Sequence, residues 1–220
     1  MSQIRRLAAI LAADVVGYSR LIGADESGTL QAFKSIRAEL FEPAIATHNG
    51  RLVKTTGDGF LVEFSSVVDS LRCAVELQRE MVERNVAVPT ENRIEFRIGV
   101  NVGDVVVEDD DIFGDGVNIA ARLEGLAEPG GICVSARVQE DAAGKLDLAF
   151  EDMGELELKN IVRPVRVFRL HSDSVVGGGE AHPRVARQAV RGCIALCQRE
   201  RRPGSVECSF RGLAYDLRLG

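Results

Sequence analysis

RLVKTTGDGFLVEF, residues 51–64, reads as two short apolar strands, 51–56 and 60–64, folded about Gly57-Asp58-Gly59. Asp-Gly flanked by β-branched and aromatic residues is a strong hairpin signal. An acid therefore stands at the tip of a turn. Upstream, residues 24–48 place Leu30, Phe33, Ile36, Leu40, Phe41 and Ile45 at helical spacing. Pro43 is expected to kink that helix or restart it, and Asn49-Gly50 to end it. Downstream, residues 67–86 repeat Leu71, Ala74, Val75, Leu77, Met81 and Val82, an amphipathic helix.

Further out, the continuous apolar run 7–16 stops at Gly17 and suits a strand buried on both faces. It ends by presenting Asp14. Residues 94–102 alternate as a strand, and 105–107 are expected to pair with them across Gly103-Asp104. An acidic loop at 108–113 precedes a helix that opens with Asp115 as its N-cap and reaches Leu126. Pro129-Gly130-Gly131 is a turn, followed by a strand at 132–134, a short helix at 136–143, and strands at 148–158 and 165–170. The sum is a ferredoxin-like β-α-β-β-α-β core with additional strands and helices, an α+β fold.

Charge divides the chain into two parts. Residues 1–170 carry 19 Lys+Arg against 28 Asp+Glu, and residues 171–220 carry 8 against 5. The first part is read as one domain, the second as a basic, poorly ordered C-terminal tail. No basic stripe interleaved with aromatics points to nucleic acid. Arg5-Arg6 before an apolar run imitates a signal peptide, but Asp14 cuts the run short, so neither export nor a membrane span is expected. Five cysteines, an odd number, fit free thiols in a reducing cytoplasm. Cys193, Cys197, Cys208 and His182 match no zinc spacing.

Asp14 alone reads as a cap and Asp58 alone as a turn former. If neighbouring strands bring them together, they form a hard-oxygen site suited to Mg²⁺ beside a nucleotide phosphate. Four segments carry a specific likeness: DVVGYS (14–19), KTTGDG (54–59), DIFGDGVNIAAR (111–122) and LKNIVRPV (158–165). With these in order, residues from about 8 to 170 resemble the catalytic domain of class III nucleotidyl cyclases. The brevity of 103–111 is similar to the short-arm bacterial forms.

That resemblance implies an adenylate cyclase, turning ATP into 3′,5′-cyclic AMP and pyrophosphate at the interface of a head-to-tail homodimer. It implies two Mg²⁺ or Mn²⁺ ions per site, held by Asp14 and Asp58 with the carbonyl of Val15. Asn118 would orient the ribose and Arg122 would meet charge on the transferring phosphate. Lys54 and Asp111 would read the base, and Lys159 would lie near the terminal phosphates. Lys54 and Asp58 share one hairpin, yet each would serve a different active site.

The base assignment also has a chemical ground. A lysine ammonium only donates and an ionised aspartate only accepts, which complements the N1 acceptor and 6-amino donor of adenine. Guanine presents the opposite edge, and a guanylate cyclase should carry an acid where Lys54 stands. A catalytically silent, nucleotide-binding dimerisation module is the alternative from another class.

Overall fold

The computed structural model describes residues 4–108 and 110–170. The tail at 171–220, with Cys193, Cys197, Cys208 and His182, lies outside the described residues. Among the described residues the sheet has eight strands. β1 (Ile4–Val15) is antiparallel to both β3 (Gly59–Phe64) and β4 (Phe96–Glu108), and β2 (Gly50–Thr56) completes one edge beside β3. β5 (Asp111–Phe113) pairs with the far end of β4, and β6 (Ile132–Ser135) runs parallel to β4. β7 (Phe150–Leu156) and β8 (Val165–Leu170) extend the other edge, giving the order β2-β3-β1-β4-β6-β8-β7. This is the expected α+β core with its additions.

One sheet face is covered by helices α1 (Tyr18–Ala24), α2 (Glu26–Ile36), α3 (Glu42–Thr47), α4 (Val67–Asn85) and α6 (Ala136–Ala142). Between α2 and α3 the turn Arg37–Phe41 is π-helical, and the Glu42 amide reaches back to the Arg37 carbonyl. Pro43 follows at the start of α3. It has no N–H to give, and the widened turn carries the chain past it without a break. Phe33, Phe41, Phe60 and Phe96 form the centre of this core, with ring centroids 4.2 Å apart for Phe41–Phe60 and 4.7 Å for Phe41–Phe96. Gln78, buried on α4, donates to the carbonyls of Phe96 and Gly131 at 2.9 Å each, tying the helix to the starts of β4 and β6.

Among the described residues, α5 (Asp115–Leu126) alone packs on the other face. It can lie close because Gly99 has no side chain. A Cβ there would sit 2.2 Å from the Glu124 nitrogen and 2.3 Å from the Ala120 carbonyl.

Three expectations are corrected. β4 runs unbroken through Gly103-Asp104, pairing along β1 as far as Ile4↔Val107, so 94–102 and 105–107 are one strand and not a hairpin. Gly103 serves close packing instead, against Gly116 of α5. The acidic segment 108–113 is not a loop but the turn and second strand of a β4–β5 hairpin with Glu108 opposite Asp111. Asp115 is the first residue of α5 and not its N-cap, a place taken by Gly114 with no side-chain hydrogen bond.

Candidate active site

Asp14 lies on the α5 face of the sheet, in register with Gly59 on β3 and Arg97 on β4. The β2–β3 turn is the two-residue Gly57-Asp58, with Gly57 at φ +66°, the positive φ that a tight hairpin needs at its first central position. Because Asp14 opposes Gly59, the turn delivers Asp58 to it, near enough for the charge of one carboxyl to act on the other. Burial, and then the neighbouring Asp14 charge, push the Asp58 carboxyl above its ordinary range, against a hydrogen bond from its own backbone.

Two further charged residues stand here that the sequence reading did not single out. Arg97 donates to Asp14 Oδ2 at 2.8 Å and lies 3.4 Å from Glu124 Oε1. That second approach, from Nη2, is an ion pair without hydrogen-bond alignment, and both Glu124 Oε1 and Arg97 Nε are buried with no hydrogen-bond partner. Burial and the Asp14 charge push the Glu124 carboxyl up to about 7. An arginine inside the apolar strand 96–102 was the available signal, since a half-buried charge requires partners.

Lys54 and Asp111 form a second group. In β2, Val53 is an extra residue between the Leu52↔Val62 and Lys54↔Leu61 pairs. This bulge resets the alternation, so Lys54 shares the α5 face with Leu61. There Lys54 Nζ donates to Asp111 Oδ2 at 2.7 Å and sits 5.5 Å from the centroid of the Phe113 ring. Asp111 Oδ1 accepts from the Ile112 amide at 2.8 Å. The bond from Lys54 holds the Asp111 carboxyl below its ordinary range.

Asn118 and Arg122 are a third group, both exposed and four residues apart on α5. Arg122 Nε donates to the Lys159 carbonyl at 3.3 Å, so the β7–β8 connection lies beside this helix, and the Lys159 side chain is exposed. Val15, buried, closes β1 next to Asp14. Among the described residues no hydrogen bond or ion pair joins any of these three groups to another.

The donor chemistry fits a hard divalent cation. Two neighbouring carboxyls, with a third close by, gather negative charge that, among the described residues, Arg97 partly offsets. Among the described residues no set of three or more His, Cys, Asp and Glu is arranged to hold a metal by itself, so such an ion needs oxygens from a substrate or water. Cys73 and Cys133 are buried free thiols on other elements, pushed up to about 12 and about 11 by burial. No helix among the described residues is long and apolar enough to cross a membrane.

Comparison with known proteins agrees with this architecture. A family model described as the adenylate and guanylate cyclase catalytic domain matches residues 2–172. A crystal structure titled adenylate/guanylate cyclase/hydrolase from Silicibacter pomeroyi is 50% identical, with a TM-score of 0.73 over 77% of this chain and 98% of that one. A Rhizobium meliloti (strain 1021) protein provisionally named adenylate cyclase 3 is 51% identical over 74% of this chain. A Streptomyces coelicolor adenylate cyclase is 35% identical over 62% of it. The chain spans only 28% and 34% of the lengths of those two relatives. With that match running through nearly all of the described residues, the chain belongs to the adenylate and guanylate cyclase catalytic domain family.

Proposed function

We propose that this chain is an adenylate cyclase, and that residues 1–170 are its catalytic domain. The observation that carries the choice of ATP is the Lys54–Asp111 pair, one donor and one acceptor side by side at 2.7 Å. Against guanine both groups would face their own kind, and an unpaired buried polar group costs about 1–3 kcal/mol, more when charged.

In the reaction the ribose 3′-hydroxyl gives up its proton to water and its oxygen bonds to the α-phosphorus, while the bond to the bridging oxygen breaks and pyrophosphate leaves. Two Mg²⁺ or Mn²⁺ ions, held by Asp14 and Asp58 with the Val15 carbonyl, would offset phosphate charge and acidify the 3′-hydroxyl. Asn118 orients the ribose so that its oxygen approaches in line. Arg122 presents a permanently charged planar fork to the transferring phosphate, and Lys159 a point charge to the terminal phosphates. The three groups are complementary in role but unlinked within one chain. A head-to-tail homodimer, in which each copy gives its carboxylates to one site and its Lys54, Asp111, Asn118 and Arg122 to the other, supplies a full set. The reading places the reaction in the cytoplasm, consistent with the buried free thiols Cys73 and Cys133.

Complementation tests it. Asp14→Ala and Arg122→Ala homodimers are each expected to be inactive with ATP and Mn²⁺. Mixed in equal amounts they should recover about a quarter of wild-type activity, because half the dimers are mixed and each holds one intact site. A mixture as inactive as its parents would refute the shared site, and a wild-type preference for GTP would refute the choice of base.

A further inference from the structure

We propose that Arg51 and Glu63 are positioning residues that set the base-reading pair, a role that rests on the assignment of Lys54 and Asp111 to the base. Lys54 and Asp111 sit on strands that do not hydrogen-bond to each other, β2 and β5. Their 2.7 Å contact is the pairing of two side-chain ends, one of them on a long flexible stem. Recognition of a base edge needs those ends fixed before the nucleotide arrives. A second tie between the same two elements lies three residues upstream of Lys54. Arg51 Nη1, from β2, donates to the main-chain carbonyl of Asp110 at 2.8 Å, at the turn that leads directly into Asp111.

The conformation of that turn makes the tie consequential. Asp110 has φ +67°, the left-handed region that a side chain other than glycine enters at a cost. Asp110 is the second of the two residues between Glu108 and Asp111 in the hairpin register. A guanidinium held on its carbonyl fixes the peptide that orients the next residue, Asp111.

Arg51 is itself held in place. Its Nε and Nη2 donate to Glu63 Oε2 at 3.2 and 2.8 Å, which leaves Nη1 directed at the turn. Glu63 stands opposite Arg51 in the β2–β3 register, and its side chain is only 6% exposed. Arg6 of β1 grips the same carboxylate from the other side, with Nη2 2.7 Å from Oε1 and donating to Oε2 at 2.8 Å. A buried carboxylate is no gain in stability over an apolar residue of the same shape, so its presence favours a geometric use. Here that use is to orient one arginine plane. Lysine cannot replace it, because a single ammonium cannot bond the Glu63 carboxylate on one edge and the Asp110 carbonyl on the other in fixed directions.

The test uses the full chain and five variants: Arg51→Met, Arg51→Lys, Glu63→Gln, Lys54→Ala and Asp111→Asn. KM and kcat are measured for ATP and for GTP, and melting temperature for each variant. Arg51→Met keeps the aliphatic stem and is expected to raise KM for ATP about tenfold, with kcat at saturation nearly unchanged and the ATP-to-GTP preference falling in parallel. Arg51→Lys should recover only part of that loss. Glu63→Gln, which keeps the shape, should move KM and preference in the same direction by less. If Arg51→Met lowers melting temperature but leaves KM and nucleotide preference at wild-type values, the role is purely structural and the proposal fails. If Lys54→Ala and Asp111→Asn themselves leave the preference unchanged, the base assignment fails and takes this proposal with it. A shifted preference in those two beside an unchanged Arg51→Met overturns the proposal alone.

Discussion

The two charged groups on the α5 face are built on opposite principles. Lys54 and Asp111 are a matched pair: one charge of each sign, hydrogen-bonded, with the aspartate held below its ordinary range by its partner. Asp14, Asp58 and Glu124 are three acids around one arginine, and two of them, Asp58 and Glu124, are held above theirs by burial and then by the Asp14 charge. The first arrangement is complete without a ligand and can choose among ligands by its pattern of donors and acceptors. The second is in deficit of positive charge, which a cation would satisfy. On the proposed reading, selectivity and charge demand fall to separate places on one sheet.

Removing the acids should give the largest effect. Asp14→Ala or Asp58→Asn is expected to lower kcat by roughly 10³-fold, the scale of several kcal/mol of metal-dependent stabilisation. Steady-state cyclic AMP formation with Mn²⁺ measures it, and a loss under tenfold would mean that the carboxylates do not hold the ion. Asp58→Asn should at the same time raise the melting temperature of metal-free protein, because it removes one of the like charges.

Reversing the matched pair should have an intermediate effect. Lys54→Glu presents an acceptor where adenine also has an acceptor, and is expected to lower the ATP-to-GTP ratio of kcat/KM by about 10–100-fold. Competition between the two nucleotides in one reaction reads this ratio directly. An unchanged ratio would detach Lys54 from the base.

The smallest effect, and the one that separates the groups most cleanly, is in stability against pH. Glu124 is neutral-favouring in the fold: its carboxyl moves from the ordinary 4.5 to about 7. Its contribution is whole below 4.5 and is lost as pH rises through about 7. Asp111 is shifted the other way, so its contribution is present above the ordinary 3.8 and is lost as pH falls below it. Metal-free protein should therefore show a melting temperature that declines from mildly acidic to neutral pH, and Glu124→Gln should flatten that decline. Mn²⁺ should flatten it as well, since a cation favours the ionised acids. A decline that survives in Glu124→Gln would place its source elsewhere.

The element order of this fold was readable because its helices and strands differ in hydrophobic period, and the residues from Asp14 to Lys159 could be carried over from segments in a familiar order. What escaped was whatever depends on the sheet as a whole. Gly103-Asp104 reads as a turn locally, yet twelve register pairs with β1 keep β4 straight through it. The bulge at Val53 decides which face Lys54 occupies, and nothing in VKTT announces an extra residue. Arg97 and Glu124 meet across a strand and a helix that only the missing side chain of Gly99 lets touch. Sequence position showed that Asp14 and Asp58 could be neighbours. The count of charges around them came only with the folded chain.

Asp14 is gripped on two sides, by β3 at Gly59 and by β4 at Arg97, whereas Asp58 rides on a turn attached at one end of a hairpin. If both acids hold the metal as proposed, one oxygen donor is carried by a strand paired on both sides and its companion by a two-residue turn. Ions of unequal radius would then be accommodated by adjustment of Gly57-Asp58, with the central strand as the reference.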